Sequence, residues 1–575
     1  MPRAARAVKN ELLPRVFVDA RSTYIEGLRF RSSFNSSELT PLHESYAPDL
    51  VNLPAPIQRR LITEFWHRLD DATDEKKRAA AGWLAASVAE LVQAKLNIAF
   101  DAEAIERLAR NCARICEYFK GPEQAEEFCA AREIKSPWDG SVETRRGSLA
   151  RLRCSRWWRR ALDRMLGRRA ENGLRRAGSI SRTRELYASN LAVLGRRQKV
   201  AITERWAKER VVRSDSGAQC ELWALRMGSQ ANPALRRAEL MTRLRGFEEV
   251  AKAAGHVADF YTLTCPSEFH RTHAHGAPVE SYAGHSVRDA QAWLSKMWAR
   301  SRAKLKRMSV LIYGFRIAEP HHDATPHWHM VLFCPSHHRA DVRRVLREYW
   351  LSEGGSDFGA EDHRITVKAI DDHKGTAAGY LAKYVAKNID GFKVGADHEI
   401  AIDERDQAKP APHQDAEKTC ERVTAWATRH GIRQFQQIGG PAVTVWRELR
   451  RIRVPVAVGI IESARIHADA GDWAKFVAAL GGIEAARSGS VGLWTEVTGE
   501  INQYDELRGP QIIGVQASVL QRIKTRIAIW RIEKKFSSSG SSLGPVTITV
   551  RGAPESGAPV LWSNPNESSM YGPLN

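Results

Sequence analysis

Two histidines separated by one residue, within a predicted strand, have a spacing that could support metal chemistry. They are His327 and His329, in a segment (His327-Trp-His-Met-Val-Leu-Phe333) whose aromatic and β-branched residues predict a strand. Side chains at i and i+2 of a strand share one face, roughly 6.6 Å apart, so both imidazoles can bind one metal ion. Glu319 ends the preceding predicted strand, and a hairpin closing across 320–326 would add its carboxylate as a third ligand.

A site of two imidazoles and one carboxylate leaves coordination positions open for a substrate. It admits Mg²⁺, Mn²⁺ or Zn²⁺, and Mg²⁺ or Mn²⁺ is the better match for a phosphate oxygen. The spacing alone does not decide the matter, because the chain has 19 His and such pairs also occur as ordinary surface or core residues.

A second group of reactive side chains lies in the helix-forming segment Tyr380-Leu-Ala-Lys-Tyr-Val-Ala-Lys-Asn388. At about 100° per residue, its polar members fall within about 100° of arc: Tyr380, Lys383, Tyr384 and Lys387. Apolar residues occupy the opposite arc, which predicts a core-facing stripe and an exposed face of two phenols and two ammonium groups. The alternative is that the tyrosines are packing residues and the lysines are solvated.

Together the two groups indicate phosphoryl transfer to tyrosine. A bound metal ion polarises a phosphate, and a tyrosine hydroxyl can attack it to form a phosphotyrosine ester that is later resealed without ATP. We expect Lys383 and Lys387 to favour the phenolate and to neutralise the phosphate, since an unperturbed tyrosine has a pKa near 10. Two tyrosines one turn apart allow two successive transfers.

Four segments in this order resemble the phage replication gene A proteins, the two-tyrosine class of HUH-type rolling-circle initiator endonucleases. The segments are Phe260–Ser267, Phe315–Met330, Tyr380–Asn388 and Ile432–Arg450. The resemblance implies that His327 and His329 are the metal-binding HUH pair and that Tyr380 and Tyr384 are the nucleophiles.

The same resemblance implies a site- and strand-specific nick at the phage origin, leaving a 5′-phosphotyrosine and a free 3′-OH primer. The chain departs from the family pattern at Ala324, which stands in the hairpin turn where glycine is expected.

The elements that must position these residues form a central α+β region. Four strands are predicted at His256–Thr264, Met308–Glu319, His327–Phe333 and Arg364–Lys368. Helices are predicted at Val287–Leu305 and Asp341–Trp350. Strands interleaved with helices in this way predict one antiparallel sheet with helices packed on it.

The charge balance favours a polyanionic partner. Lys plus Arg is 87 and Asp plus Glu is 67, so the net charge is +20. The densest basic segment, 151–176, holds ten Arg. We interpret four of its residues as DNA contacts, since Arg pairs with phosphates and Trp stacks on bases: Arg156, Trp157, Arg159 and Arg160. The alternative is a solvated basic helix whose Trp residues are core.

The remaining sequence patterns predict the domain organisation and the cellular location of the protein. We expect a mostly helical region at 1–240, an HUH endonuclease domain at 250–455, a helical region at 456–536 and a disordered tail at 537–575. No secretory leader or membrane span is recognised, and eight Cys are too sparse for a disulfide scaffold. These features predict a cytoplasmic protein, and the family resemblance implies that it is encoded by a phage or prophage and acts in the bacterial host.

DNA, single-stranded or unwound at the phage origin, is the expected partner, and the membrane is not. The sequence has no P-loop, so strand separation is assigned to a host helicase. Three alternatives remain open: a relaxase- or transposase-like nickase, a non-catalytic origin-binding protein, and a metal hydrolase acting on a small molecule.

Overall fold

The computed structural model describes residues 48–54, 57–58, 61–62, 65, 74–93, 101–357, 359–371, 373, 375–391, 416–457, 459–484, 489–518, 520–535 and 548–551. Most of the predicted tail at 537–575 lies outside these residues. The chain divides into two units, residues 1–173 with 504–506 and residues 174–503 with 507–575.

The first unit is built from helices. They are α1 (Asp74–Gln93), α2 (Ala102–Glu117), α3 (Glu126–Ala130), α4 (Val142–Leu152) and α5 (Ser155–Arg176), whose last residues pass the boundary, with short 3-10 turns at Pro48–Asn52 and Pro122–Ala125. Helix α2 begins where the Asp101 carboxylate accepts the backbone N–H groups of Glu103 and Ala104. Such a cap satisfies donors that have no partner within the helix.

The second unit mixes helices and strands. Its strands are β1 (Arg210–Ser214), β2 (Gln219–Glu221), β3 (His256–Leu263), β4 (Tyr313–Pro320), β5 (Pro326–Pro335), β6 (Ile365–Ala369), β7 (Phe435–Ile438), β8 (Gly492–Glu496), β9 (Gln511–Gln516), β10 (Arg522–Lys524), β11 (Ile529–Lys534) and β12 (Ile548–Arg551). Its α-helices are α6 (Asn190–Lys208), α7 (Leu222–Met227), α8 (Pro233–Ala253), α9 (Val287–Arg307), α10 (Arg339–Trp350), α11 (Ala360–His363), α12 (Ala377–Ile389), α13 (Ala416–His430), α14 (Val443–Leu449), α15 (Ile460–Asp469) and α16 (Trp473–Ala479). Short 3-10 turns lie at Ser267–Phe269 and Ser336–His338.

A five-stranded antiparallel sheet occupies the centre of the second unit, in the order β6-β3-β5-β4-β7. The four predicted strands are all present, and β7 adds a fifth. The strand predicted from Met308 begins only at Tyr313, because α9 extends to Arg307 and the chain then turns through Ser309 at φ +57°.

Helices cover both faces of this sheet. On one face, Phe260, Phe315 and Val331 pack in one core with residues of α8, α12 and α16. On the other, the indole N–H of Trp328 donates to Gln291 of α9, and Asp259 accepts hydrogen bonds from two arginines of α10. Because both faces are covered, every residue of β4 is buried, as is nearly all of β5.

The prediction of a helical region at 456–536 is wrong beyond α16. After α15 and α16, the chain forms a three-stranded sheet in the order β10-β9-β8, and β11 joins a four-stranded sheet in the order β12-β11-β1-β2. Residues of β11 alternate between buried and exposed, with Trp530 and Ile532 inside, which is strand periodicity over only six residues. Strand β12 lies within the predicted disordered tail, so that prediction is wrong for 548–551.

In the part of the chain that the structure describes, no helix has the length and apolar character needed to cross a bilayer.

Candidate active site

The predicted ligands Glu319, His327 and His329 meet on the sheet face that α12 covers. Glu319 on β4 pairs directly with His327 on β5, and His329 lies two residues further along β5 on the same face. One ligand atom from each residue lies within 4.8 Å of the others, and all three side chains are buried. The Nε2 atoms of the two histidines are 2.9 Å apart, and His329 Nε2 is 3.9 Å from Glu319 Oε2.

The two imidazoles of this cluster are in the neutral form that can bind a cation. Burial, then the charges of Lys387 and Lys383, lowers the pKa of His329 to about 3. Burial, then the neighbouring His321 and His329, holds the pKa of His327 well below its usual value. Both imidazoles are therefore neutral near pH 7, with lone pairs available for a metal. Two imidazole nitrogens and a carboxylate oxygen form a donor set that fits a divalent ion.

Hydrogen bonds from Thr262 and Asn388 orient two of these candidate ligands, and the sequence analysis missed them. The Thr262 hydroxyl lies 3.1 Å from His329 Nδ1, which leaves Nε2 directed into the cluster. The fully buried Asn388 donates through Nδ2 to Glu319 Oε1 and to the Tyr384 carbonyl, the latter at 2.7 Å. Its Oδ1 accepts from Gln434 Nε2 at 2.9 Å.

The orientation of the Asn388 amide follows from its neighbours. A backbone carbonyl can only accept a hydrogen bond, so the NH₂ group must face Tyr384 O and the neighbouring Glu319 carboxylate. Asn388 stands at the end of the tyrosine motif, but nothing in its residue type or spacing indicated a buried contact with a strand residue.

Helix α12 places both tyrosines against the site, but differently. It begins after Thr376, whose Oγ1 accepts the Gly379 N–H at 2.9 Å. The Tyr384 ring lies 4.1 Å from the His329 ring between centroids and stacks on Phe260 at 5.6 Å. Tyr384 is only 8% exposed, whereas Tyr380 is partly exposed and 6.1 Å from Phe260.

The predicted exposed face of two phenols and two ammonium groups is therefore wrong for Tyr384. The arc opposite the tyrosines, with Leu381 and Val385, packs in the core as expected. The tyrosine arc is also covered, because it lies on the sheet.

The pKa shift of Tyr384 is also opposite in direction to the prediction. Burial and the Glu319 carboxylate raise the pKa of Tyr384, and Lys387 opposes that rise only in part. Lys387 Nζ lies 3.8 Å from Glu319 Oε2 and 5.2 Å from the ring centroid of Tyr187. Lys383 is half-buried, and its charge contributes to the low pKa of His329.

A buried ion pair holds the turn of the hairpin formed by β4 and β5. Arg175, which is 1% exposed, donates to the Asp323 carbonyl at 2.7 Å, to Thr325 Oγ1 at 2.7 Å and to the His285 carbonyl at 2.8 Å. Its Nη2 is 3.4 Å from the Asp323 carboxylate. Arg175 belongs to the segment interpreted as a DNA contact, but its burial excludes contact with a phosphate.

The residue that departs from the family pattern, Ala324, lies in the same turn. Ala324 has φ +69°, the left-handed conformation that glycine adopts without cost. Its carbonyl accepts a hydrogen bond from the Trp426 indole at 2.9 Å, and this contact supports the strained conformation.

The four predicted DNA contacts lie on α5, in the first unit. Arg156, Arg159 and Arg160 are exposed, and Arg159 pairs with Glu106 at 3.5 Å. Trp157 is half-buried, edge-on to the fully buried Trp158. The arginines thus remain accessible to a polyanion, while the Trp pair is largely a packing feature.

Comparison with known proteins identifies the family of this chain. The family model described as "Bacteriophage replication gene A protein (GPA)" matches residues 89–392, more than half of the chain. "Replication gene A protein" of Escherichia phage 186 is 38% identical over 391 residues, covering 66% of this chain and 55% of that protein. "Replication gene A protein" of Escherichia phage P2 is 34% identical over 420 residues, covering 69% and 53%.

A third relative, "Probable replication endonuclease from prophage-like region 1" of Salmonella typhi, is 29% identical over 448 residues, covering 75% of this chain and 53% of its own. The chain spans about half the length of the curated relatives it matches. No solved structure matches significantly. On the strength of the family match, this chain belongs to the bacteriophage replication gene A protein family.

Proposed function

We propose that this protein initiates phage DNA replication as an HUH-type endonuclease that nicks one strand of the origin through a tyrosine. The observation that carries the proposal is the contact between the Tyr384 ring and His329, a member of the Glu319–His327–His329 cluster. A nucleophile and a set of metal ligands are thereby adjacent in one buried site. The names of the relatives, which include replication gene A protein and replication endonuclease, support the same assignment.

The residues of the site have separate parts in the proposed reaction. Glu319, His327 and His329 would hold Mg²⁺ or Mn²⁺, whose charge polarises a phosphate oxygen when it is bound. The tyrosine Oη bonds to the phosphorus while the bond from phosphorus to the 3′ oxygen breaks, and the phenolic proton passes through solvent to that oxygen. The products are a 5′-phosphotyrosine and a free 3′-OH.

The second tyrosine makes a second transfer possible. While one tyrosine holds the 5′ end, the other attacks the regenerated origin, and the released 3′-OH attacks the first phosphotyrosine to close a circle. Each step exchanges one phosphoester for another, so joining needs no external energy source. We assign to Lys383 and Lys387 the neutralisation of the negative charge on the phosphate.

Covalent capture tests this proposal directly. Incubation with labelled single-stranded origin DNA and Mn²⁺ should give a protein–DNA adduct with the wild-type chain. The double variant Tyr380→Phe/Tyr384→Phe should give none but should still bind DNA, because Phe keeps each ring and its packing. An adduct formed by the double variant would exclude these tyrosines as nucleophiles. Absence of an adduct with the wild-type chain would favour a non-catalytic origin-binding protein.

A further inference from the structure

The site face of the sheet continues past the metal ligands to its edge. Phe260 on β3 contacts the rings of His329, Tyr384 and Tyr380, so it lies at the centre of the site. The next strand is β6, which is the edge strand, and its Lys368 pairs directly with Phe260. Residues paired across two antiparallel strands share a face, so Lys368 lies on the face that carries the ligands.

Lys368 reaches the more exposed tyrosine. Its Nζ is 5.3 Å from the ring centroid of Tyr380, within the range of a cation–π contact. The side chain is exposed, and in the described part of the chain no carboxylate lies within ion-pair distance of it. Its charge is therefore available to an anion that approaches Tyr380.

The two tyrosines consequently have different cationic neighbours. Tyr384 is buried beside Lys387, whose Nζ already lies near the Glu319 carboxylate and the Tyr187 ring. Tyr380 is partly exposed beside Lys368, which comes from another element and is not engaged with the ligand cluster.

We propose that Lys368 is the phosphate-binding partner of Tyr380, whereas Lys387 serves Tyr384. This inference rests on the proposed function. When Tyr380 attacks, the bond from Oη to phosphorus forms, the bond from phosphorus to the 3′ oxygen breaks, and the phenolic proton passes through solvent to that oxygen. Lys368 keeps its own proton throughout and binds a non-bridging phosphate oxygen, whose negative charge it offsets.

The test uses two proteins that each retain one nucleophile. In the Tyr384→Phe protein only Tyr380 can form an adduct, and in the Tyr380→Phe protein only Tyr384 can. Lys368→Met and Lys387→Met are introduced separately into each protein, and the rate of adduct formation is measured with labelled origin DNA and Mn²⁺. Lys306→Met is the matched control, since Lys306 is exposed on α9, which covers the opposite face of the sheet.

We expect Lys368→Met to slow the adduct through Tyr380 at least about tenfold more than the adduct through Tyr384, a difference of about 1.4 kcal/mol. Lys387→Met should have the reverse preference, and Lys306→Met should change neither rate. Lys368→Arg should recover most of the loss, because it restores the positive charge at the same position.

Two results would overturn the inference: equal slowing of both adducts by Lys368→Met, or no slowing of the adduct through Tyr380. Circular dichroism excludes a folding defect, and Lys368→Gln provides a second variant if Met disturbs the edge strand. Failure of the proposed function has a different signature, because neither single-tyrosine protein would then form an adduct even with all its lysines intact.

Discussion

At the scale of single residues, the Asn388 amide links helix α12 to the candidate metal ligand Glu319. One N–H of its NH₂ group binds the Tyr384 carbonyl in the same helix, and the other binds the Glu319 carboxylate on β4. The amide therefore fixes which oxygen of Glu319 turns toward His329, without itself being a ligand. Residues in this position tune metal affinity because a correctly oriented ligand loses less entropy when it binds.

Removal of this amide should weaken metal binding. For Asn388→Ala we expect the dissociation constant for Mn²⁺, measured by calorimetric titration without DNA, to rise about 10- to 100-fold. Asn190→Ala is the control, because Asn190 is exposed and its side-chain oxygen accepts a hydrogen bond from Arg422 rather than from a residue of the cluster. An unchanged dissociation constant in a folded Asn388→Ala protein would mean that Glu319 is oriented without this contact.

The ligands themselves should be required for both metal binding and nicking. His327→Ala and His329→Ala each remove one imidazole from a three-residue set, so Mn²⁺ binding and adduct formation should both be lost. Glu319→Ala should act in the same direction. Normal nicking by the double histidine variant would exclude this cluster as the metal site.

At the scale of elements, the hairpin of β4 and β5 depends on the buried ion pair at its turn. Burial would raise the pKa of the Asp323 carboxyl, but the charge of Arg175 and a hydrogen bond from His270 hold that pKa well below its usual value. The carboxylate is thus charged in the interior, and its compensation comes largely from one arginine.

Arg175→Met should therefore destabilise the protein strongly. It leaves the Asp323 carboxylate buried without its cation, which costs about 3–5 kcal/mol in the free energy of unfolding. The neighbouring Arg176→Met is the control, because Arg176 is exposed and donates to the Gly284 carbonyl at the surface. Its effect should stay below about 1 kcal/mol in urea denaturation at pH 7.

The loss caused by Arg175→Met should also depend on pH. In the wild-type protein the folded pKa of Asp323 is depressed, so its contribution is present at pH 7 and is lost only below about pH 4, as pH falls toward the folded pKa. In the variant, burial without the cation raises that pKa, and protonation relieves the cost as pH falls. The difference in unfolding free energy between the two proteins should therefore shrink between pH 7 and pH 4.5. A difference that grows over this range would contradict the assignment.

The sequence predicted some elements better than others, for physical reasons. The HxH pair lies on a strand with a cross-strand partner. The period-2 alternation of any strand places residues i and i+2 on one face, whatever packs against that strand. The angular spacing of Tyr380 and Tyr384 was equally predictable. Their exposure was not, because a helical wheel orders residues around an axis but does not say which other elements pack there. Strands β8–β11 have at most six residues each, too few for a clear period.

At the scale of the whole molecule, the excess positive charge predicts how binding to a nucleic acid would depend on salt. A net charge of +20 attracts any nucleic acid, and counterion release makes that binding depend on salt. We predict such contacts at the exposed arginines of α5, and their contribution can be separated from that of net charge.

Reversal of three α5 charges should flatten the salt dependence. Each phosphate contact on a single strand contributes about −0.7 to the slope of log affinity against log salt, so Arg156→Glu/Arg159→Glu/Arg160→Glu should reduce the slope by about 2. The control reverses Arg302, Lys306 and Arg307, which are exposed on α9 and carry the same total charge. Equal slopes for the two triple variants would mean that net charge, and not a contact on α5, governs binding.

The attachment of α12 to the sheet through Asn388 has a mechanical consequence. Because the helix is attached to the sheet near its C-terminal end, any tilt of the helix would pivot about Asn388. At about 1.5 Å of rise per residue, Tyr384 is about 6 Å from Asn388 and Tyr380 is about 12 Å from it. A small tilt about Asn388 would therefore move Tyr380 twice as far as Tyr384, so under the proposed function a DNA end joined to Tyr380 would travel the longer arc.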